Sequence, residues 1–522
     1  MQRKFVLSLS LLTILCISCG SNSTPSKPSR TTVIYIPTDQ GVDKAASIFT
    51  YKDVGESNLY EVNYSPNKGN SKLLVIPIWF TDSSDYIDPA NKEIIREDIR
   101  LSYFGNEEQT GWESVSTYYK KDSYNKLNII GEVSEWYECN KPSTDYYDEV
   151  YGGNETNYLV KKAVEWYKTS NNLENLKDFD QDGDGYLDGV MLIYGCPDCE
   201  QLLIKEASNL WAYAYWLQNG SLRNVNNPGP NAFFWASYDF LYSSGETALA
   251  KTGKTEYGHG DTKNLLIDAH TFIHEMGHIL GLVDYYDYSY QTQPAGFFSM
   301  QDGNIGDHDA FSKIALGWVT PYVVKESCTL TFKNLAQGGE CVLLSPTYYS
   351  SPFDEYILIE YYAPIGLNEH DVLYSYADNN KGPNYHGARI WHVDARMFSV
   401  FALDERGNPK YGNITNNPDS GNIVPATSNS TSGDKATNVA GSYYYNTLQL
   451  IRKSKIETYK SNKTISNSDL FTSGDVFKMS DYYKQFVNGS SHKLNNGQTF
   501  NWEVAINNIS PNGEMTITVT VK

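Results

Sequence analysis

The chain reads as an α/β (α+β) domain followed by an antiparallel β-rich domain, and three observations carry that reading. Its 522 residues exceed what one hydrophobic core usually serves. From about residue 71, short apolar runs alternate with stretches of helical period. After Pro321 the pattern changes to successive strands with a period of two.

The first domain, assigned to residues 71–325, opens on the apolar run 73–80, the mark of a strand buried on both faces. Helical patterns at 91–103, 112–121 and 157–170 then alternate with strand patterns at 127–133 and 189–194. Alternation of this kind covers a sheet with helices. The second domain, residues 326–522, contains strand patterns at 329–332, 356–359, 389–393 and 515–521, which predict a sandwich-like antiparallel arrangement. Residues 413–438 are rich in Gly, Asn, Ser and Thr without apolar period, and predict a long exposed loop. Residues 33–70 hold short apolar patches and no strong period, so they are either a pro-segment or an edge of the first domain.

The N-terminus sets the expected compartment. Met1-Gln2-Arg3-Lys4 is basic, and residues 5–17 form an apolar run too short to span a bilayer, as in an export signal over 1–18. Its end, Cys16-Ile17-Ser18-Cys19-Gly20, resembles the bacterial lipoprotein box, which implies acylation of Cys19; an ordinary secretory cleavage is the alternative. Residues 19–32 have the composition of a flexible tether. The expected place is the cell envelope, outside the cytoplasm, with membrane contact only through the lipid. With 62 acidic against 42 basic residues, the net charge of −20 argues against nucleic-acid or anionic-membrane partners. No feature calls for an oligomer. Of the cysteines beyond the signal, Cys328 and Cys341 flank a hairpin pattern and predict a cross-strand pair. Cys196 and Cys199 read as a local disulfide or two loop thiols.

The chemistry concentrates in residues 268–282, DAHTFIHEMGHILGL, which predict a helix capped by Asp268. His274 and His278 lie four residues apart on one face, the spacing at which two imidazoles reach one zinc ion. Glu275 then serves as the base that takes a proton from the attacking water and delivers it to the leaving amine. Gly281 permits a sharp turn, and Asp284 falls six residues after His278 as the third ligand. Met300 fits a methionine turn under the site, although core packing is the commoner role for such a residue. His270, at the helix start, reads as partly exposed, and His308 and His392 as structural.

The run HTFIHEMGHILGLVDYYDY, then FFSMQDGNIGDHDAFSKIALGWVTP, resembles the immune inhibitor A family of secreted bacterial metallopeptidases. Lys313, Leu316, Gly317 and Trp318 hold the places of that family's Lys-x-x-Leu-Gly-Trp segment, and further similarity runs through 116–136, 356–361 and 390–394. The resemblance implies a metzincin-like zinc endopeptidase acting on extracellular proteins or peptides. Val283 departs from the proline usual before the aspartate, which leaves Glu360 as a reserve third ligand. The alternative function is an inactive relative acting as a surface adhesion or glycan-binding lipoprotein.

A second metal is expected in residues 180–189, DQDGDGYLDG. Carboxylates of Asp180, Asp182, Asp184 and Asp188, with the carbonyl of Tyr186, have the alternating spacing of an oxygen cage for calcium. Met191 stands where a helix-loop-helix calcium sensor has its glutamate, so a structural clamp is expected.

Overall fold

The computed structural model describes residues 35–46, 49–56, 61–147, 151–259, 265–348, 351–376, 381–403, 409–415, 423–425, 427–429, 446–456, 461–485, 492–510 and 513–522. The signal, the tether and Cys19 lie outside these residues. So do 416–422, 426 and 430–438 of the expected long loop.

A six-stranded sheet forms the centre of the first part. Its order is Leu127–Val133, Gly69–Trp79, Val190–Tyr194, Ala232–Ser237 and Tyr213–Trp216, with Tyr137–Glu138 also paired to Gly69–Trp79. All pairs are parallel except the last, where Tyr213–Trp216 runs antiparallel along the edge. Side chains alternate between the faces with the period of two that strand geometry imposes. Leu73, Val75, Met191, Ile193, Phe234 and Ala236 turn to one core. That core also receives residues of the helices Lys92–Phe104, Val115–Asp122 and His270–Ile279. Leu74, Ile76, Leu192, Tyr194, Phe233 and Trp235 turn to the other face, against the helix Asn154–Ser170. Helices on both faces explain why these strands read as unbroken apolar runs.

The later part holds a seven-stranded and a four-stranded sheet. The first has the order Tyr35–Ile36, Lys44–Ala45, Tyr322–Val324, Cys341–Leu344, Glu355–Tyr362, Gly387–Asp394 and Leu448–Ile451. The second has the order Cys328–Lys333, Glu514–Val521, Trp502–Ser510 and Val476–Lys478. The two share a buried core in which Val342, Leu344, Ile357 and Ile359 meet Leu330, Phe332, Val504 and Ile517. On its opposite face the seven-stranded sheet contributes Leu343, Tyr356, Leu358 and Trp391 to the core that contains the histidine helix.

Three expectations are corrected. The seven-stranded sheet is not purely antiparallel, because Tyr322–Val324 and Cys341–Leu344 are parallel. Between them the chain crosses to the four-stranded sheet through Cys328–Lys333 and returns, the kind of crossover a parallel pair requires. For the same reason Cys328 and Cys341 occupy different sheets, and both are free thiols, as is Cys196. Finally, Pro409–Thr415 and Ile423–Pro425 flank Met397–Leu403 in a three-stranded sheet, so part of the expected loop is paired strand. Among the described residues no helix is long and apolar enough to cross a membrane.

Candidate active site

The helix His270–Ile279 packs on the strands Tyr213–Trp216 and Ala232–Ser237 and on the helix Val115–Asp122. Phe272, Ile273, Met276 and Ile279 supply its buried apolar contacts. It starts two residues later than Asp268, but Asp268 still helps to begin it, because its Oδ1 accepts the His270 N–H at 3.1 Å. Tyr119 donates its hydroxyl to the Ile273 carbonyl at 2.7 Å. After the helix, Gly281 adopts φ +110°, where a Cβ would also lie 2.4 Å from the Cβ of Tyr51. Only glycine suits that turn, and the turn brings Asp284 back to the helix.

Three acceptor atoms converge there. Asp284 Oδ1 lies 3.0 Å from His274 Nε2 and 3.2 Å from His278 Nε2. The two Nε2 atoms are 3.1 Å apart. On the far side of each ring, Nδ1 meets a main-chain carbonyl at 2.8 Å: Met300 for His274 and Leu282 for His278. A carbonyl can only accept, so both Nδ1 atoms carry the hydrogen, and in their neutral form both rings would offer lone pairs at Nε2. Two lone pairs and a carboxylate oxygen thus face one another with no donor of their own. That donor set fits a divalent cation, and the spacings are close to the ~3.3 Å edge of a tetrahedron with zinc-length bonds. The same demand for positive charge acts on His278, where burial disfavours the imidazolium but Asp284 holds its pKa up at about 9. Burial would raise the Asp284 carboxyl, yet His278 and His274 keep it well below the usual carboxylate range. Its second oxygen accepts the Tyr288 hydroxyl at 2.6 Å.

Glu275 is buried beside this cluster, and its Oε2 has no hydrogen-bond partner. Burial raises its pKa against the pull of His278 and His274, while the Ala214 amide donates to the carboxylate from the edge strand. A desolvated carboxylate with one uncommitted oxygen is suited to accept a proton.

A buried polar network supports the helix from below. A Cβ at Gly277 would lie 2.2 Å from Gln301 Oε1, so Gln301 sits directly against the helix. The same oxygen is 3.2 Å from His308 Nε2, and His308 Nδ1 is 2.6 Å from Asp122 Oδ2. Lys313 Nζ completes the network at 2.7 Å from Asp122 Oδ1 and 2.8 Å from Asp307 Oδ1. Met300 is fully buried, and its link to the site is the carbonyl that orients His274.

His270 is not partly exposed but fully buried. Its ring bridges Asp268 Oδ1 at 2.8 Å and Asp371 Oδ1 at 3.1 Å, stacked between Trp112 and Tyr376. Burial disfavours its charge, but the two carboxylates lift its pKa to about 10. Glu360 lies elsewhere: Oε1 pairs with Arg389, and Oε2 accepts the Ala310 N–H at 2.8 Å. His392 pairs with Glu355 at 2.8 Å within the seven-stranded sheet.

The model of the immune inhibitor A peptidase M6 catalytic domain matches residues 61–192. Over that stretch the chain is similar to the immune inhibitor A peptidases. The match ends inside the strand Val190–Tyr194, before the histidine helix, and supports a peptidase function with a metal implied by the family. No curated protein sequence matches the chain.

The acidic loop lies within the matched residues. Asp180, Asp182 and Asp184 each offer an oxygen within 4.8 Å of the others, with Gly183 and Gly185 at φ +73° and +91° making the turn. Asp188 is not among them. Its carboxylate is buried and accepts the Lys72 N–H at 2.6 Å and the Gln181 N–H at 3.0 Å, which commits it to the sheet. The Tyr186 N–H donates to Asp184 Oδ1 at 2.8 Å, and Lys52 pairs with Asp182. Burial and the Asp182 charge raise Asp184 to about 6.

The contacts that sequence reasoning missed are those made by the main chain or across long separations. Nothing in the sequence points to Ala214 as a donor to Glu275. Tyr288 was visible only as one of the tyrosines that follow Asp284.

Proposed function

We propose that the chain is a zinc-dependent endopeptidase, with His274, His278 and Asp284 as ligands and Glu275 as general base. The observation that carries this reading is the convergence of two imidazole lone pairs and one carboxylate oxygen, each oriented by a hydrogen bond on its far side. Zinc in such a donor set would act as a Lewis acid that polarises a carbonyl and acidifies water. Glu275 Oε2 takes the proton of the attacking water and returns it to the leaving amine. Its burial raises its basicity for that task, and the Ala214 N–H steadies the carboxylate. Tyr288 positions Asp284, while Met300 and Leu282 hold the imidazole rings. The reading includes a metzincin-like catalytic fold, a sandwich-like C-terminal pair of sheets, extracellular protein substrates, and a lipid anchor at Cys19. It also includes a structural calcium ion held by Asp180, Asp182 and Asp184, supported by the convergence of their carboxylate oxygens and by the burial and neighbouring Asp182 charge that raise Asp184.

The test is metal analysis of the purified chain together with digestion of casein, with and without phenanthroline. Zinc content and chelator-sensitive cleavage are expected; cleavage indifferent to the chelator would overturn the zinc mechanism.

A further inference from the structure

A second cluster of ligand-type side chains lies outside the candidate active site. Asp198 follows the strand Val190–Tyr194, and Asp239 lies in the turn Tyr238–Leu241 after the strand Ala232–Ser237. These strands are adjacent and parallel, so their C-terminal ends bring the two aspartates together. His259 reaches them from the segment that precedes the histidine helix, held by its own N–H on the Tyr242 carbonyl at 2.6 Å and by stacking of its ring on Phe240 at 4.2 Å. His259 Nε2 is 2.9 Å from Asp198 Oδ2 and 3.6 Å from Asp239 Oδ1.

The outer oxygens of both aspartates are fixed by main-chain amides. Asp198 Oδ1 accepts from Glu200 N at 2.6 Å and from Gln201 N at 3.3 Å, and Asp239 Oδ2 accepts from Asp198 N at 3.0 Å. The inner atoms differ. Asp198 Oδ2, Asp239 Oδ1 and His259 Nε2 are all buried, and none of them completes a hydrogen bond. The carboxylate side chains are wholly buried, whereas His259 keeps a small exposed edge through which an ion could enter. Three uncommitted atoms that point at one another, with the far oxygens of both carboxylates anchored by amides and the imidazole held by its stack on Phe240, make the arrangement expected around a cation. Two buried carboxylates beside a single imidazole also carry excess negative charge, which burial penalises unless it is neutralised.

We propose that Asp198, Asp239 and His259 bind a second divalent transition-metal ion, with zinc as the member of that class to be tested. One imidazole and two carboxylates match zinc-type donors better than the all-oxygen shell that calcium prefers. The ion would tie the ends of two central strands to residue 259, ahead of the helix that carries His274 and His278. It has no part in the peptidase chemistry.

The experiment separates this site from the active site by working in a His274→Ala, His278→Ala background. The full-length variant is stripped with EDTA, saturated with calcium to occupy the acidic loop, and titrated with zinc or cobalt(II). The expected result is one equivalent of zinc by mass spectrometry and a cobalt d–d absorption band, both lost when His259→Gln or Asp239→Asn is added. Circular dichroism of each variant confirms folding, and the two substitutions are independent, so one folded variant suffices. Absence of zinc in the background variant would overturn the proposal, leaving His259 as an imidazolium paired with the carboxylates. Undiminished binding after both substitutions would overturn it too. Neither result bears on zinc at His274 and His278, which the unsubstituted chain reports separately.

Discussion

Replacing Asp371 with asparagine should destabilise the start of the histidine helix in a manner that depends on pH. His270 is held between Asp268 and Asp371, and these charges raise its pKa from 6.5 to about 10. At ~1.4 kcal/mol per unit, a shift of that size corresponds to roughly 5 kcal/mol linked to the bound proton. The sign follows from the direction of the shift: a raised pKa contributes its full stability below the unfolded-state value of about 6.5, and the contribution fades as pH rises through about 10. Asp371→Asn removes one of the two carboxylates, so about 3 kcal/mol should be lost at pH 6, consistent with breaking a buried ion pair. Part of the loss will persist at all pH values, because Asp371 Oδ2 also accepts the Gly306 N–H at 2.6 Å. Urea unfolding of metal-stripped protein, followed by tryptophan emission at pH 6, 8 and 10, measures the difference. Trp112, stacked on His270 at 4.2 Å, is one of the 10 tryptophans that report the transition. The stability gap between parent and variant should stay level until the pH passes the variant's own, lower His270 pKa, and then close toward pH 10. A gap that is constant with pH, or that widens, would refute a charged His270.

Further expectations follow from the same geometry. Asp284→Ala or His278→Ala should lower zinc affinity by orders of magnitude and abolish cleavage together, since each removes one of three ligands; equilibrium dialysis against zinc checks this, and full occupancy would move the site. Tyr288→Phe should weaken zinc binding by about 10- to 100-fold with folding intact, because it removes the bond that orients Asp284. Calcium should raise the melting temperature of the chain, and Asp182→Asn with Asp184→Asn should remove most of that gain with turnover nearly unchanged; identical calcium titrations for parent and variant would leave the loop a plain acidic turn. Cys19→Ala should shift the protein from the detergent phase to the aqueous phase in Triton X-114 partitioning, and equal partitioning would discard the lipid anchor.

Much of the central sheet could be read in the sequence because its signals are local. The apolar run at 73–80 and the strand pattern at 189–194 correspond to Gly69–Trp79 and Val190–Tyr194, and the pattern at 157–170 falls within the helix Asn154–Ser170. The spacing of His274, His278 and Asp284 was equally legible, because a helical turn and a glycine at positive φ fix where these residues go. What was lost depends on partners far away in the chain. His270 looked exposed because its neighbours Trp112, Asp371 and Tyr376 arrive from remote segments. Asp188 was assigned to the calcium cage by its spacing, but the Lys72 amide of the adjacent strand claims its carboxylate. Cys328 and Cys341 looked like a hairpin pair because sequence proximity conceals the crossover that sends their strands to different sheets. Asp198, Asp239 and His259 gave no pattern, since two strand ends and a connecting segment bring them together.

The central claim is that Glu275 is the base and the two histidines with Asp284 hold the metal. Glu275→Gln tests it most directly, because glutamine keeps the size of the side chain and removes only the basic oxygen. Casein cleavage and bound zinc are measured on the same preparation. Turnover should fall by at least ~100-fold, the scale of general base catalysis, with zinc content equal to that of the parent. Turnover that survives the substitution, or zinc lost along with it, would contradict the account.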